Sequence, residues 1–207
     1  MIKSSLNLKL FFLLKIFLIY LIICLKSYAD DRKNKYDLIV IGPDDAVVKI
    51  KIFSSLTCPH CATFHKKVVS KIKKNYIESG KVQLIFIDFP LDQAAFNASK
   101  LLHCVDQNKQ ITFLDNIYEN QNKWTAGVNI DEINNNLKKI VKNLGITPMK
   151  FDKCLDDEDI GDKILNGRID GNKKYSINST PTIIINEKKL EGSASFKNIE
   201  KKIEKLI

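Results

Sequence analysis

Residues 50–78 read IKIFSSLTCPHCATFHKKVVSKIKKNYIE, and this stretch decides the fold. The apolar run over residues 50–56 has the length of a strand, and the residues from 59 to about 78 are predicted to form a helix. Cys58 and Cys61 stand at the start of that helix. Unpaired backbone N–H groups and the positive end of the helix dipole favour a thiolate over a thiol at such a position.

The residues between the cysteines suit the same chemistry. Pro59 fits the first helical turn, where its missing N–H costs nothing. His60 adds a donor, or a charge near neutral pH, that stabilises the anion further. A thiolate is the attacking species in disulfide exchange, and a second cysteine one turn on resolves the mixed disulfide. The motif therefore predicts a redox-active disulfide between Cys58 and Cys61.

Other interpretations of this motif compete with redox chemistry. A lone CxxC is also half of a zinc site, and His65 and the His103-Cys104 pair are candidate co-ligands. A c-type haem site would need His directly after the second cysteine, and Ala62 excludes it. A purely structural disulfide is a further alternative, although a two-residue spacer makes a strained, reducible ring. Catalytic redox chemistry is the favoured interpretation, with no metal and no cofactor expected.

The first 29 residues are typical of an export signal. Two lysines precede an apolar stretch over residues 10–25, interrupted only by Lys15, and Ser-Tyr-Ala follows at 27–29. We expect cleavage after Ala29 and a periplasmic location, with an uncleaved membrane anchor as the alternative. Cys24 would leave with the signal, because bulky isoleucines precede it where a lipoprotein signal has small residues.

The charge of the chain does not indicate a nucleic-acid partner. The 207 residues include 33 basic and 24 acidic side chains, a net charge of +9. Residues 1–29 hold four of the basic and none of the acidic residues, so the mature chain carries 29 against 24, a net charge of +5. Its lysines are scattered among acidic residues, as on 197–206, in the usual solvated pattern. Nucleic-acid binding would need a clustered basic patch with aromatic side chains.

Four cysteines remain in the mature chain: Cys58, Cys61, Cys104 and Cys154. An even number of cysteines in an exported protein indicates an oxidising compartment and disulfide pairing. Four thiols allow three connectivities. The short spacing favours a Cys58–Cys61 pair, which leaves Cys104 with Cys154.

The sequence of the mature chain predicts an α/β fold in which a block of helices separates two groups of strands. A charged linker over 30–35 precedes predicted strands at 36–41, 47–53, 82–87, 182–186 and 189–191, the last two forming a hairpin around 187–188. Further helices are predicted at 92–106, 109–120, 131–144, 148–155, 161–175 and 196–207, with Asp131 as an N-cap and Gly145 as a C-cap. The strand–helix–strand spacing around the CxxC motif is that of a βαβ unit.

These residues resemble the DsbA-like family of exported thiol–disulfide oxidoreductases, which have a thioredoxin fold with a helical insertion. The resemblance depends on FSSLTCPHC at 53–61 and STPT at 179–182 and, more weakly, on FPLD at 89–92 and NQNKW at 120–124. It covers essentially the whole mature chain. It implies a signal peptide over 1–29, a first thioredoxin-like part over 30–90, an α-helical insertion over 91–175 and a second thioredoxin-like part over 176–207.

The resemblance also implies a substrate-binding loop and a structural disulfide. Pro181 would follow a cis peptide bond, and the Thr180-Pro181 loop would face the first cysteine and pair with extended substrate segments. Cys104 and Cys154 look like an extra cysteine pair known in the family. They imply a structural disulfide, with a second redox centre as the alternative.

One position departs from the family pattern. Many members carry a buried acidic residue six positions before the first cysteine, where it assists proton movement at the second sulfur. Here that position is Ile52. The neighbouring Lys51 should point to the opposite face of the strand and so does not replace the acid. The family pattern therefore leaves open how Cys61 is deprotonated.

The resemblance implies an enzyme that introduces disulfide bonds into newly exported proteins. A quinone-linked membrane oxidoreductase would re-oxidise it, and we expect a monomer. One alternative is a reductase or isomerase of misformed disulfides, but the dimerisation domain usual for that role does not fit in residues 30–57. The other is a non-catalytic chaperone that binds substrates beside Pro181 and the insertion helices. No chemistry is assigned to His65, His103, Met149 or Trp124, which are interpreted as ordinary helix-face or core residues.

Overall fold

The structure is a computed structural model that describes residues 38–207 and, before them, Lys15 alone. The export signal, its cleavage site at Ala29, Cys24 and the charged linker over 30–35 lie outside the described residues. Among the residues that are described, none of the helices has both the length and the apolar character needed to cross a membrane.

A five-stranded mixed sheet forms the centre of residues 38–207. The strand order is β1-β3-β2-β4-β5. β2 and β3 are parallel, whereas β1 pairs with β3, β4 with β2 and β5 with β4 in antiparallel fashion. The strands are β1 (Ile39–Ile41), β2 (Val48–Ser54), β3 (Val82–Asp88), β4 (Thr182–Ile185) and β5 (Lys188–Lys189).

The helix after the CxxC motif connects the two parallel strands. It covers residues 59–77 and is called α1 here. It begins as a regular α-helix, Pro59–Phe64, and continues through a wider π-helical turn, His65–Val69. A short α-helical turn, Ser70–Ile72, and a second π-helical turn, Lys73–Ile77, complete it. The predicted βαβ unit is confirmed, and it puts the start of α1 at the carboxyl end of β2.

A block of helices separates β3 from β4. Its members are α2 (Gln93–Cys104), α3 (Gln110–Glu119), α4 (Gln121–Trp124), α5 (Ile130–Lys142), α6 (Pro148–Leu155) and α7 (Glu158–Tyr175). The prediction of Asp131 as an N-cap is wrong, because the Asn129 side chain accepts the hydrogen bond from the Glu132 N–H. Asn129 has the extended backbone that a cap requires, whereas Asp131 already lies in the first turn.

The final hairpin turns one residue earlier than predicted. Asn186 and Glu187 both have positive φ angles, so they form the turn, and Lys188 already belongs to β5. Asn tolerates this conformation better than most residues. Its side chain also accepts a hydrogen bond from the Lys49 N–H and donates one to the Val47 carbonyl, which fixes the turn to the start of β2. The chain then forms α8 (Phe196–Ile203).

The sheet buries apolar side chains on both faces. The larger cluster includes Ile50, Ile52, Ile72 and Leu84, and it contains both cysteines of the CxxC motif. The smaller cluster on the opposite face consists of Phe53, Phe89, Ile177 and Ile184. Gly171 of α7 packs directly against this smaller cluster, so closely that a Cβ atom there would overlap Cε1 of Phe53.

Replacing Gly171 with Ala is expected to destabilise the protein by about 1–3 kcal/mol, the usual cost of overpacking a core. The Phe53 ring is buried and held by its neighbours, so it cannot move aside freely. The free energy of unfolding, measured with a chemical denaturant, checks this. Gly167→Ala is the matched control on the same helix: a Cβ there meets nothing within 4 Å, so it should gain up to about 1 kcal/mol from helix propensity. Equal effects at both positions would contradict this packing.

Candidate active site

The first cysteine lies where β2 gives way to α1. Cys58 has an extended backbone and is the N-terminal boundary residue of the helix, with Pro59 in the first turn. The Ala62 N–H donates to the Cys58 carbonyl at 3.1 Å, which starts the helix. Both cysteines of the motif are free thiols in this structure. Cys58 is 9% exposed and Cys61 1%, so the first sulfur is the more accessible of the two.

The surroundings of Cys58 favour its thiolate. Burial by itself would raise the thiol pKa, but hydrogen bonds to the sulfur outweigh it and leave the pKa below its usual value. The nearby Thr180 hydroxyl, the backbone N–H and thiol of Cys61, and the backbone N–H of His60 all favour the anion. The backbone of His60 thus acts on the sulfur, whereas its imidazole side chain is exposed.

The surroundings of Cys61 do the opposite. Burial, with a smaller contribution from the charge on Cys58, raises the pKa of Cys61 to about 12, although Thr180 and the Ser55 backbone oppose this. Cys61 is therefore a protonated thiol at neutral pH, and its proton has to leave before its sulfur can attack. The pair is asymmetric, with one sulfur suited to attack and one suited to resolve.

The Thr180-Pro181 loop faces the first cysteine. The Thr180–Pro181 peptide bond is cis. The thiol of Cys58 donates a hydrogen bond to the Thr180 carbonyl at 3.4 Å. Within residues 38–207, the Thr180 hydroxyl is buried without a hydrogen-bond partner at normal distance. It is nevertheless close enough to both sulfurs to favour their anions. The structure thus brings Cys58, Cys61, Thr180 and Pro181 into one site.

Replacing Thr180 with Val is expected to raise the pKa of Cys58, because the hydroxyl that favours the thiolate is lost. The absorbance of the thiolate in a pH titration of the reduced protein measures this, and Cys61 does not interfere because its pKa is about 12. Thr125→Val is the matched control, since its hydroxyl donates to the Gln121 carbonyl instead. An unchanged titration of Cys58 in Thr180→Val would contradict the role of the hydroxyl.

The motifs NQNKW and FPLD both support the cysteine loop. The Gln121 side chain is buried and donates to the carbonyls of Leu56 and Cys58 at 2.7 and 3.1 Å. The Thr57 hydroxyl donates to the Asp92 carboxylate at 2.7 Å, and the same carboxylate caps α2. Sequence reasoning missed these contacts because they join positions far apart in the chain.

The other two cysteines of the described chain form a disulfide. Cys104 at the end of α2 is bonded to Cys154 in α6, with their Cα atoms 6.1 Å apart. Cys104 therefore cannot serve the CxxC motif as a zinc ligand. The two candidate histidine ligands are paired with carboxylates, His65 with Asp115 and His103 with Asp88. Across residues 38–207, no group of three His, Cys, Asp or Glu side chains is arranged to hold a metal ion.

Comparison with known proteins agrees with this geometry. A family model described as thioredoxin matches residues 33–205. A putative protein-disulfide oxidoreductase of Rickettsia bellii is 29% identical to this chain. The match covers 84% of this chain and 66% of that protein's length. A probable disulfide bond formation protein D of Bacillus anthracis is 30% identical, with 86% of each chain covered. The solved structure of Wolbachia pipientis alpha-DsbA1 matches with a TM-score of 0.75 and 30% identity, over 83% of this chain and 91% of that one.

The chain belongs to the thioredoxin family. Its relatives and its fold make it a DsbA-like dithiol–disulfide oxidoreductase. The predicted thioredoxin-like fold with an inserted helical part is confirmed.

Proposed function

We propose that this protein is an exported oxidase that introduces disulfide bonds into substrate proteins through Cys58 and Cys61. The observation that carries the proposal is the asymmetry of the two thiols. The pKa of Cys58 lies below its ordinary value and that of Cys61 lies near 12. Stabilising the Cys58 thiolate stabilises the reduced pair, and this makes the oxidised pair a stronger oxidant.

The reaction consists of two exchanges. A substrate thiolate attacks the Cys58 sulfur, the Cys58–Cys61 bond breaks, and Cys61 leaves with the electron pair and takes up a proton. A second substrate thiolate then attacks the substrate sulfur of the mixed disulfide, and Cys58 leaves as a thiolate. The substrate has lost two electrons to the enzyme, which is now a dithiol. A quinone-linked membrane oxidoreductase would accept these electrons.

The surface beside the dithiol suits an extended polypeptide. Pro181 is half-buried and the Thr180 carbonyl points at Cys58, so the loop offers backbone groups for strand-like pairing. A groove of about 370 Å³ begins at Thr57 and is lined by residues that include Asp92, Val128 and Ile133. Val128 is 90% exposed and is available to an apolar side chain of a substrate.

Equilibration with glutathione tests the direction of the reaction. For an oxidase, we expect the reduction potential of the pair to lie nearer about −120 mV than the value of about −270 mV that is typical of thioredoxin. The oxidised protein should also convert a reduced, unfolded substrate protein to its disulfide form. A potential near the thioredoxin value would instead favour a reductase.

The same groove favours a chaperone as the second candidate function. Replacing both Cys58 and Cys61 with Ser separates the two. The double variant should lose oxidation of the substrate protein completely. The chaperone function would be favoured if this variant fully suppressed aggregation of the substrate and the wild-type protein did not oxidise it.

A further inference from the structure

The structure contains no acid at the position from which related proteins assist the second sulfur. Ile52 occupies that position and is 1% exposed in the apolar core. Cys61 nevertheless has to lose a proton when the pair is oxidised and regain it when the pair is reduced. A thiol with a pKa of about 12 does this rapidly only if a nearby group accepts the proton. Such a group matters only if Cys58 and Cys61 exchange disulfides as proposed, so its assignment rests on the proposed function.

The Asp88 carboxylate lies on the same face of the sheet as Ile52, two residues further along the parallel strands. Side chains two positions apart in a strand share a face, so Ser54 lies on the same side of β2 as Ile52. In the parallel register with β3, Ile52 pairs with Phe86 and Ser54 with Asp88. Asp88 is therefore the last residue of β3, at the sheet edge where β2 leads to Cys58.

Asp88 forms a buried polar cluster with α2. Its side chain is 6% exposed. Ser99 donates to Oδ1 at 2.6 Å, and Nε2 of His103 lies 2.7 Å from Oδ2. The His103 side chain is 10% exposed. Imidazole is the side chain that gains and loses a proton most readily near neutral pH.

Tyr118 of α3 lies between this cluster and the part of α1 that carries Cys61. The ring is buried and packs against His65, with the ring centroids 4.9 Å apart. Burial raises its pKa well above the usual value, and the charges of Cys61 and Asp88 raise it further, whereas the side chain of Ser54 lowers it. His65 lies one turn after Cys61 on the same side of α1, so the Tyr118 ring lies beside the turn that carries the second sulfur. Tyr118 also lines one cavity together with Ser54 and Asp88.

A small cavity lies between Ser54, Asp88 and Tyr118. Its volume is about 10 Å³, close to the minimum for one water molecule. Ser54, Asp88 and Tyr118 are its polar lining residues, and the remaining lining residues are apolar except for their backbone: Ile39, Leu56, Phe86, Ile87, Leu102 and Leu114. A water needs two to four polar partners, and this lining provides them.

We infer that Tyr118, a water in this cavity and the Asp88–His103 pair form the proton path of Cys61, in place of the acid that Ile52 replaces. When Cys58 carries a mixed disulfide, the Cys61 thiol gives its proton to this path. Its sulfur then bonds to Cys58, the bond from Cys58 to the partner sulfur breaks, and the partner leaves with the electron pair as a thiolate. When a substrate reduces the pair, the proton returns along the same path to Cys61.

Re-oxidation of the reduced full chain by glutathione disulfide tests the path. Acid quenching and mass spectrometry follow the Cys58–glutathione mixed disulfide as it forms and is resolved. In Tyr118→Phe and in Asp88→Asn, resolution should slow about 10-fold or more, so the mixed disulfide accumulates. In both variants, the rate of resolution should then rise about tenfold per pH unit, because hydroxide has to remove the proton from the Cys61 thiol. The rate of formation of the mixed disulfide should stay unchanged in both variants.

Tyr76→Phe is the matched control. It removes the hydroxyl of another buried tyrosine, located near the far end of α1, where that hydroxyl bonds to Glu200 at 3.5 Å. It should resolve the mixed disulfide at the wild-type rate. If Tyr118→Phe does not fold, His103→Gln replaces it, because it removes the imidazole from the same path and should show the same slowing.

The outcomes separate the proton path from the proposed function. Wild-type resolution rates and pH profiles in Asp88→Asn and in either Tyr118→Phe or His103→Gln would overturn the path and leave dithiol exchange intact. A slowing that is equal in Tyr76→Phe would also overturn it, since a general loss of packing would then explain the result. A wild-type protein that forms no mixed disulfide at all would overturn the proposed function, and the path with it.

Discussion

Cys58→Ser is expected to abolish disulfide exchange, and Cys61→Ser is expected to trap substrates on the protein. Cys58 is the more accessible sulfur and the one whose anion is stabilised. Without it, no mixed disulfide forms, so the rate should fall to that of the uncatalysed reaction. Without Cys61, the mixed disulfide on Cys58 lacks the internal thiol that displaces the partner, so its lifetime should increase at least about tenfold.

Acid-quenched samples on non-reducing gels, with mass spectrometry of the trapped adducts, check both results. Cys104→Ser combined with Cys154→Ser is the matched control. It removes two sulfurs, whereas each test variant removes one, and it leaves the CxxC motif intact. This control should still form mixed disulfides and should resolve them far faster than Cys61→Ser does, because its CxxC motif is intact. Persistent exchange in Cys58→Ser, or adducts on Cys61 in the wild-type protein, would reverse the assignment of the two sulfurs.

Trp124→Ala is expected to destabilise the protein by about 3–5 kcal/mol, the usual cost of removing a large buried aromatic side chain. Trp124 is fully buried, and its indole N–H donates to the Ile117 carbonyl at 3.0 Å. The substitution leaves a cavity and removes the hydrogen bond from the indole to the Ile117 carbonyl. Denaturant unfolding followed by far-ultraviolet circular dichroism measures the change in free energy.

Met149→Ala provides the comparison for this substitution. Met149 lies in α6 with 82% of its surface exposed, so its truncation should change stability by less than about 0.5 kcal/mol. A cost below about 1 kcal/mol for Trp124→Ala would mean that the indole is not part of the stable core. Because Trp124 shares α4 with Gln121, we also expect slower disulfide exchange in the surviving folded fraction.

Local features of the site were predictable from the sequence, because short segments determine them. A strand followed by CPHC defines the start of α1, since proline is suited to the first turn and the preceding run is apolar. The structure places the start of α1 at Pro59 and the end of the π-helical turns at Ile77, close to the predicted 59–78. The predicted interpretation of Trp124 as a core residue agrees with its complete burial.

Contacts between distant segments were not predictable in the same way. Asp88 directly follows the predicted strand over 82–87, and His103 is predicted to be an ordinary helix-face or core residue. Nothing in either segment shows that the two side chains meet. Their pairing depends on the packing of α2 against β3, which a single sequence does not specify. The prediction of Asp131 rather than Asn129 as the N-cap failed for a similar reason. Both residue types cap helices well, and only the path of the preceding loop decides which one has the extended backbone.

The bond between Cys104 and Cys154 has a consequence for the maturation of the protein. It secures the last turn of α2, and the residue directly before Cys104 is His103, which reaches Asp88 from that turn. A newly made chain with all its thiols reduced has an α2 terminus that frays more easily, as helix ends do. Such a chain would be a slower catalyst until this remote crosslink closes. The variant with Cys104→Ser and Cys154→Ser, compared with the wild-type protein in the glutathione assay, would show whether a catalyst of disulfide exchange must itself first be oxidised at a second place.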